Sequence, residues 1–177
     1  CPLGLAPTAS TTAAMAMGDA LAVTLLKLRN FRPEDYALFH PGGSLGKQLV
    51  TTAGDLMDIA RLPQVREQTP VEQAIQEIQD KGYGVTCVVN TRGLLCGAFS
   101  MGDFTRLHLK DRSLGFLQRP IAEVMTRTPK TVTADVLAAR ALNVMETHHI
   151  RAIFVIDGQG KPLGILGLYE VLKAIDY

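Results

Sequence analysis

Apolar residues along this chain form one pattern that occurs twice. In each copy an apolar run predicts a buried strand, a short polar turn follows, and a second apolar run leads into a helix. The strands of the first copy are predicted at 85–89 and 97–100, and those of the second at 152–156 and 162–166. The copies lie 67 positions apart. A repeat at a fixed period indicates a duplicated unit of strands and helices.

Helical patterns flank these strands. Thr69-Pro70-Val71-Glu72 has the form of a capping box with proline at the first helical position, which predicts a helix start. Thr133-Ala134-Asp135 predicts the matching start in the second copy, and other helices are predicted at 101–109 and up to 175. Between the patterned stretches we expect a linker at 51–58 and a polar hinge at 111–119. The two longer apolar helix faces consist of Ala74, Ile75 and Ile78, and of Leu137, Ala141, Leu142 and Met145.

The first fifty residues lie outside the repeat. Apolar residues spaced by three and four positions predict a helix over 12–29, with a stripe formed by Met17, Leu21, Leu25 and Leu28. We expect this stripe to be exposed or to pack against a second copy of the chain. Ser10, Thr11 and Thr12 stand where this helix is predicted to begin. Such hydroxyls either cap a helix or form a phosphate-binding loop with its free N–H groups, and helix chemistry alone favours the cap.

A glycine-rich segment follows this helix. Pro33 predicts the start of a short helix, and Pro41 with the neighbouring glycines predicts its end. His40 lies at that break. Its imidazole either stabilises the carboxyl end of the helix or transfers protons from a rigid corner, since histidine titrates near neutral pH. Spacing alone favours the structural role.

Composition and charge exclude some classes of protein. The 177 residues are 47% hydrophobic, and 18 basic residues balance 17 acidic ones, so we expect no nucleic-acid partner. No stretch approaches the ~18 consecutive apolar residues of a membrane span, and we expect a cytoplasmic protein without a membrane partner. The three cysteines are expected to be reduced thiols, and no metal site is expected at His148-His149 because no further ligand is near. Because the chain opens at Cys1 without a signal peptide, we expect it to be part of a longer protein.

The doubled unit resembles a pair of CBS domains, a regulatory module that binds adenosyl and other nucleotides between its two halves. The resemblance rests on the order of elements and on the motif Gly-x-x-Ser/Thr-x-x-Asp, present in the first copy as Gly97, Ser100 and Asp103. It implies that the hydroxyl meets a phosphate and the carboxylate meets ribose hydroxyls, both at the start of a helix. The second copy has Gly167 and Glu170 at the last two positions, so we do not expect the two copies to bind a nucleotide equally.

The first fifty residues resemble the end of the sugar isomerase (SIS) domain of arabinose 5-phosphate isomerases, in which an SIS domain precedes two CBS domains. The matching segments are GLAPTASTT, MGDALA and FHPGGSLG. The fold implied is α/β: a tandem CBS (β-α-β-β-α) pair preceded by the C-terminal helical part of an SIS α/β sandwich domain. We expect boundaries at 1–50 for the SIS part, 51–110 for the first CBS domain and 119–177 for the second.

The resemblance also implies an activity. Isomerases of this family interconvert D-ribulose 5-phosphate and D-arabinose 5-phosphate, the first step toward the Kdo sugar of lipopolysaccharide, and require no cofactor. Of the family's catalytic Lys, two Glu and His, only the His falls here, at His40, where it implies proton delivery to oxygen or ring opening. We therefore expect this chain alone to be inactive.

Binding partners follow from the same resemblance. It implies a homo-oligomer, a tetramer at full length, whose active site lies between subunits, and a regulatory nucleotide in the CBS cleft, either CMP-Kdo or an adenine nucleotide. The implied ligand contacts in the CBS part are Ser100, Asp103, Thr69 and Glu123, and the implied sugar-phosphate loop is Ser10, Thr11 and Thr12.

Two alternatives stay open at this point. The CBS pair senses a nucleotide for another SIS-type sugar-phosphate-binding protein, or it serves only to dimerise subunits. A DNA-binding segment upstream would favour the sensor, whereas an upstream Ser-rich phosphate loop with Lys and Glu would favour the isomerase.

Overall fold

The helices and strands follow the predicted repeat. The computed structural model describes residues 4, 6–32, 35–36 and 49–175. The elements are α1 Thr8–Leu28, α2 Ala53–Leu56, β1 Gln64–Arg66, α3 Val71–Lys81, β2 Val85–Val89, β3 Leu95–Ser100, α4 Met101–Lys110, β4 Thr131–Thr133, α5 Ala138–Thr147, β5 Ala152–Ile156, β6 Pro162–Gly167 and α6 Leu168–Ala174, with 3₁₀ turns at Gly115–Gln118 and Ile121–Glu123. The four predicted strands are confirmed to within two residues.

Each repeat builds one three-stranded sheet of the same topology. In the first sheet β2 pairs in parallel with β1 and antiparallel with β3, and in the second β5 pairs in the same way with β4 and β6. Val88 lies opposite Gly97, its equivalent Val155 lies opposite Gly164, and the register shifts directly after both pairs. The sequence did not predict β1 and β4, because three residues are too few to establish an alternating pattern.

Both faces of the sheets are buried, which explains why the strands read as continuous apolar runs. In β2, Val88 packs under α3, whereas Cys87 and Val89 face the second sheet. The core between the sheets consists of Cys87, Val89, Ala98, Phe154 and Ile165. Because residues of both repeats form this core, the two repeats pack as one body.

The segment before each repeat packs on the other repeat. Ala53 in α2 is fully buried in the core of the second repeat, and Asp58 bridges to Ile165 of β6. Equivalently, Ile121 is fully buried in the core of the first repeat, and Thr126 bridges to β3. The two repeats therefore exchange their leading segments.

The predicted linker and the predicted polar hinge are both wrong. Within 51–58, Thr52 and Asp55 form a capping box around the short helix α2. Within 111–119, Phe116 lies in a 3₁₀ turn and is buried against the first repeat. Each segment has only one or two buried apolar residues among polar ones, which gives no periodic signal.

The predicted start of α3 is one residue early and its predicted capping box does not form, and the predicted start of α5 is wrong. Pro70, rather than Thr69, occupies the N-cap of α3, and the Thr69 hydroxyl instead accepts a hydrogen bond from the Arg66 N–H at 3.1 Å. Thr133 ends strand β4, and α5 begins later, at Ala138. In both cases the residues that resembled a cap lie at the end of a short strand or in the turn that follows it.

Helix α1 has no buried residue. The stripe is exposed as predicted, from 52% at Leu25 to 74% at Leu28. The helix starts at Thr8, four residues earlier than predicted, because Pro7 occupies the N-cap. Its length and composition are those of a membrane span, which for one helix near the N-terminus is weak evidence of such a span. The predicted helix end at His40 lies outside the described residues.

Candidate functional site

Two clefts related by the repeat lie where the sheets end. Each is formed by the strand-to-helix junction of one repeat and by the loop before the central strand of the other. The first half-site combines the β3–α4 junction with the loop at Ile150, and the second combines the β6–α6 junction with the loop at Tyr83. The two loops begin alike, since Gly82 and His149 each have a positive φ, of 80° and 52°, and they differ at Gly84, whose φ of 72° has no counterpart at Arg151. Side chains at matching positions can therefore be compared directly.

Ser100 and Asp103 form a reciprocal capping box at the first half-site. The Asp103 N–H donates to Ser100 Oγ at 3.2 Å, and Asp103 Oδ2 accepts from the Ser100 N–H at 2.9 Å and from its hydroxyl at 2.6 Å. The other carboxylate oxygen accepts from Arg106. The local reason is a strand that ends directly at a helix, whose first N–H groups need acceptors. The two residues implied as ligand contacts are thus brought together, with Arg106 beside them.

The first half-site has an apolar floor. It is a cleft of about 350 Å³ whose base is made of strand side chains from both sheets, namely Val85, Ala98, Ala152 and Phe154. Ile150 continues this apolar surface. Flat apolar surface at the bottom of a cleft is suited to a nucleobase or a similar ring.

The rim of the first half-site is basic. The cations Arg106 and Lys130 line it together with His148, and Asp103 is the single carboxylate among the lining residues that the structure describes. A neighbouring cleft of about 440 Å³ continues past Ser100 to Arg151. Cations around a helix start attract anionic groups such as phosphates.

The second half-site has different chemistry at each matching position. Gly167 replaces Ser100, and Glu170 replaces Asp103, so α6 has no side-chain cap. Tyr83 replaces Ile150. The Tyr83 hydroxyl donates to Asp58 Oδ2 at 3.1 Å and accepts from Arg61 at 3.2 Å.

These contacts change the acidity of the groups involved. The backbone N–H of Arg61 holds the pKa of Asp58 below its usual value. Burial raises the pKa of Tyr83 to about 12, and its hydrogen bond to Asp58 acts in the same direction. At neutral pH Tyr83 is therefore an uncharged donor to a carboxylate.

Thr69 and Glu123, also implied as ligand contacts, do not line either half-site. They lie near each other where the leading segment of the second repeat meets the first, since the Ile121 N–H donates to the Thr69 carbonyl at 2.8 Å. Glu123 pairs with Arg119, with 2.7 Å between Oε2 and Nε. Their ligand roles stay predictions.

The hydroxyl-rich segment is part of α1, so the prediction of a loop there is wrong. Ser10, Thr11 and Thr12 lie in its first turns, and the helix start has no side-chain cap. The Thr11 and Thr12 hydroxyls donate back to the Thr8 carbonyl, at 2.9 and 3.1 Å. A sugar-phosphate role for the three residues stays a prediction. His40, the predicted catalytic residue, lies outside the described residues.

Among the lining residues of the first half-site that were not found from the sequence are Arg106, Lys130 and His148. His148 matches Lys81 of the first repeat, so the 67-residue spacing was the signal that could have identified it. Arg106 is one helical turn after Asp103 and was available from spacing alone. Within the described part of the chain no cluster of three metal-ligating residues occurs.

Comparisons with known proteins give two kinds of relative. Arabinose 5-phosphate isomerase KdsD of Pseudomonas aeruginosa is 44% identical over 175 residues, and that of Escherichia coli K12 is 42% identical over 175. Each match covers 98% of this chain, but the chain spans only 53% and 52% of the two relatives.

Among solved structures, CBSX2 in complex with AMP aligns with a TM-score of 0.61 and 25% identity, covering 70% of this chain and 95% of that one. The cytosolic domain of the Mg²⁺ channel MgtE in complex with ATP aligns with a TM-score of 0.58 and 22% identity, covering 73% and 53%. The family model of the CBS domain matches residues 53–110 and 121–177. Together with the two sheets of equal topology, these matches show that the chain belongs to the CBS domain family, as a tandem pair.

Proposed function

We propose that this chain is part of an arabinose 5-phosphate isomerase. The observation that carries the proposal is 42–44% identity to such enzymes along 98% of the chain. The reaction interconverts D-ribulose 5-phosphate and D-arabinose 5-phosphate and leads toward the Kdo sugar of lipopolysaccharide. It requires proton transfer between neighbouring carbons, and His40 is proposed to deliver a proton to oxygen or to open the sugar ring.

An isomerase assay tests this proposal. The complete gene product should form arabinose 5-phosphate from ribulose 5-phosphate, and the 177-residue chain alone should not. His40→Ala in the complete protein should lower kcat by about 10²–10⁴-fold, the usual contribution of a positioned acid or base. Unchanged kcat would assign His40 a purely structural role, and no isomerase activity in the complete protein would contradict the proposal.

The second part of the proposal assigns the CBS pair a regulatory nucleotide at the first half-site. The floor of strand side chains would hold the base, Asp103 would accept from the ribose hydroxyls, and Ser100 with the basic rim would hold the phosphate. Binding would then displace Arg106 from the Asp103 carboxylate. The support from relatives is the AMP complex of CBSX2.

Calorimetry of this chain with AMP, ATP, CMP and CMP-Kdo tests the nucleotide site. Asp103→Ala should weaken binding about ten- to a hundredfold, since a hydrogen bond to a charged group contributes roughly 1.5–3 kcal/mol. Asp19→Ala is the control, because Asp19 is an exposed carboxylate on α1. Preference for CMP-Kdo would support feedback by the end product of the pathway, whereas binding of adenine nucleotides alone would contradict feedback. Binding of none would favour a role in dimerisation.

We also propose that the protein is a homo-oligomer. The observation behind this is α1, whose apolar residues Met17, Leu21, Leu25 and Leu28 are all more than half exposed. Light scattering should find more than one copy of this chain per particle, and Leu21→Asp with Leu25→Asp should reduce the mass to one copy. A monomer before substitution would contradict this part of the proposal.

A further inference from the structure

We infer that the second half-site is filled by this chain's own side chains, so that each chain binds one nucleotide rather than two. The inference depends on the proposed nucleotide-binding role of the first half-site and adds to it the number of sites and the residues that decide that number.

The apolar floor is the first difference. In the first half-site, strand side chains of both sheets are reached from the cleft. In the second half-site the lining residues that the structure describes lie in loops and helices, apart from Gly167 at the end of β6. Tyr83 packs against the core between the sheets at this place. Its ring therefore covers the surface on which a base would lie.

Tyr83 is held in place from three directions. Its hydroxyl is hydrogen-bonded to Asp58 and Arg61, and the Arg61 guanidinium lies over its ring, 5.2 Å from the centroid. Arg61 in turn donates to Asp58 Oδ2 through Nε at 2.7 Å, and its backbone N–H donates to Oδ1 at 2.9 Å. These hydrogen bonds use the donor and the acceptor of the Tyr83 hydroxyl and both carboxylate oxygens of Asp58, so they favour the observed position of the ring.

The phosphate end is the second difference. A Cβ at Gly167 would overlap Glu170 Oε2 and would lie 3.2 Å from Tyr83 Cε1, so the space of the Ser100 side chain is here taken by a carboxylate and a ring. A carboxylate at that place repels a phosphate. Three cations are among the described lining residues: Arg61 pairs with Asp58, Lys81 donates to the Ala60 carbonyl at 3.4 Å, and Arg151 also lines the cleft next to the first half-site.

The cleft that remains at the second half-site does not offer the contacts that the first half-site offers. A cleft of about 290 Å³ persists at the second half-site, and its lining combines charged side chains and glycine-rich loop backbone with Leu168, Tyr83 and Tyr169. It lacks both a floor of strand side chains and a hydroxyl at the helix start. A nucleoside would have to bind there without the strand side chains that form the floor of the first half-site.

Site counting tests the inference. Titration calorimetry with AMP and CMP as probes should give one site per chain, Asp103→Ala should weaken that site at least tenfold, and the matched Glu170→Ala should leave both the number and the affinity unchanged. Two sites, or weaker binding in Glu170→Ala, would overturn the inference while leaving the proposed function standing. No binding of AMP, CMP, ATP or CMP-Kdo would overturn both the inference and the proposed nucleotide-binding role of the first half-site.

A transplant of the first half-site gives the converse test. Tyr83→Ile, Gly167→Ser and Glu170→Asp together copy Ile150, Ser100 and Asp103 into the second half-site. This variant should bind two probe molecules per chain. A variant that keeps its original site, and is therefore folded, but gains no second one would show that these three side chains do not close the half-site.

Discussion

The two repeats agree in their scaffold and differ in their clefts. Both sheets have the same strand order, the same register at Val88 and Val155, and the same exchange of leading segments. At the strand-to-helix junctions, by contrast, a capped helix start faces an uncapped one. The difference shows that burial on both faces restricts which residues the strands can contain, whereas a half-exposed cleft accepts different side chains at equivalent positions.

The largest effect is expected where the leading segments are buried. Ile121 and Ala53 occupy equivalent positions in the two leading segments, and both are fully buried. Ile121→Ala therefore places against the first repeat the smaller residue that already packs against the second. We expect a loss of about 2–5 kcal/mol in the free energy of unfolding, because the cavity cannot collapse fully. Urea denaturation measures it, with the exposed Asn143→Ala as control. A loss below about 1 kcal/mol would show that this segment is not part of the core.

Two glycines test how tightly each leading segment packs. A Cβ at Gly97 would overlap Met125 Sδ, whereas one at Gly164 would lie 3.0 Å from Met57 Cγ and Sδ. Since Met125 is buried and Met57 only half-buried, Gly97→Ala should cost about 1–3 kcal/mol and Gly164→Ala less. Thermal unfolding of both variants decides this. Equal costs would contradict a tighter fit in the first repeat.

Substitutions at the two helix starts, of α4 and α6, should differ in their effect on stability by a smaller amount. Ser100→Ala removes the capping box of α4 and should cost about 0.5–2 kcal/mol of stability. Glu170→Ala, in the helix without a side-chain cap, should change stability by less than about 0.5 kcal/mol. Chemical denaturation at neutral pH compares the two, and a larger loss in Glu170→Ala would reverse this assignment.

The smallest expected effect is a loss of stability at alkaline pH. The folded state raises the pKa of Tyr83 from 10.0 to about 12, so it keeps a proton that the unfolded chain releases. The stability that this provides is complete below pH 10 and is lost as the pH rises toward 12. Buried Cys87, whose pKa is also raised to about 12, acts in the same direction. Melting temperatures between pH 8 and 11 should fall less steeply in Tyr83→Phe, and an identical slope would contradict the burial of this phenol.

The sequence predicted what depends on long apolar runs. The four main strands were found because both of their faces are buried, and the motif at Ser100 and Asp103 was visible because its residues are close in sequence. The contacts of Tyr83 with Asp58 and Arg61 were not predictable, since they join positions about 25 residues apart through folded loops. The leading segments were missed for a related reason, because one buried residue, Ala53 or Ile121, cannot establish a periodic pattern.

The exchange of leading segments has a consequence for symmetry. If the two repeats were separate, identical chains, each would place its leading segment on its partner, which is the arrangement of a two-fold symmetric, segment-swapped dimer. In such a dimer every substitution appears in both clefts at once, so one cleft cannot lose its binding residues while the other keeps them. Joining the copies in one chain removes that constraint. Tyr83 can then differ from Ile150, and Gly167 from Ser100, while the swapped packing that holds the body together stays the same in both halves.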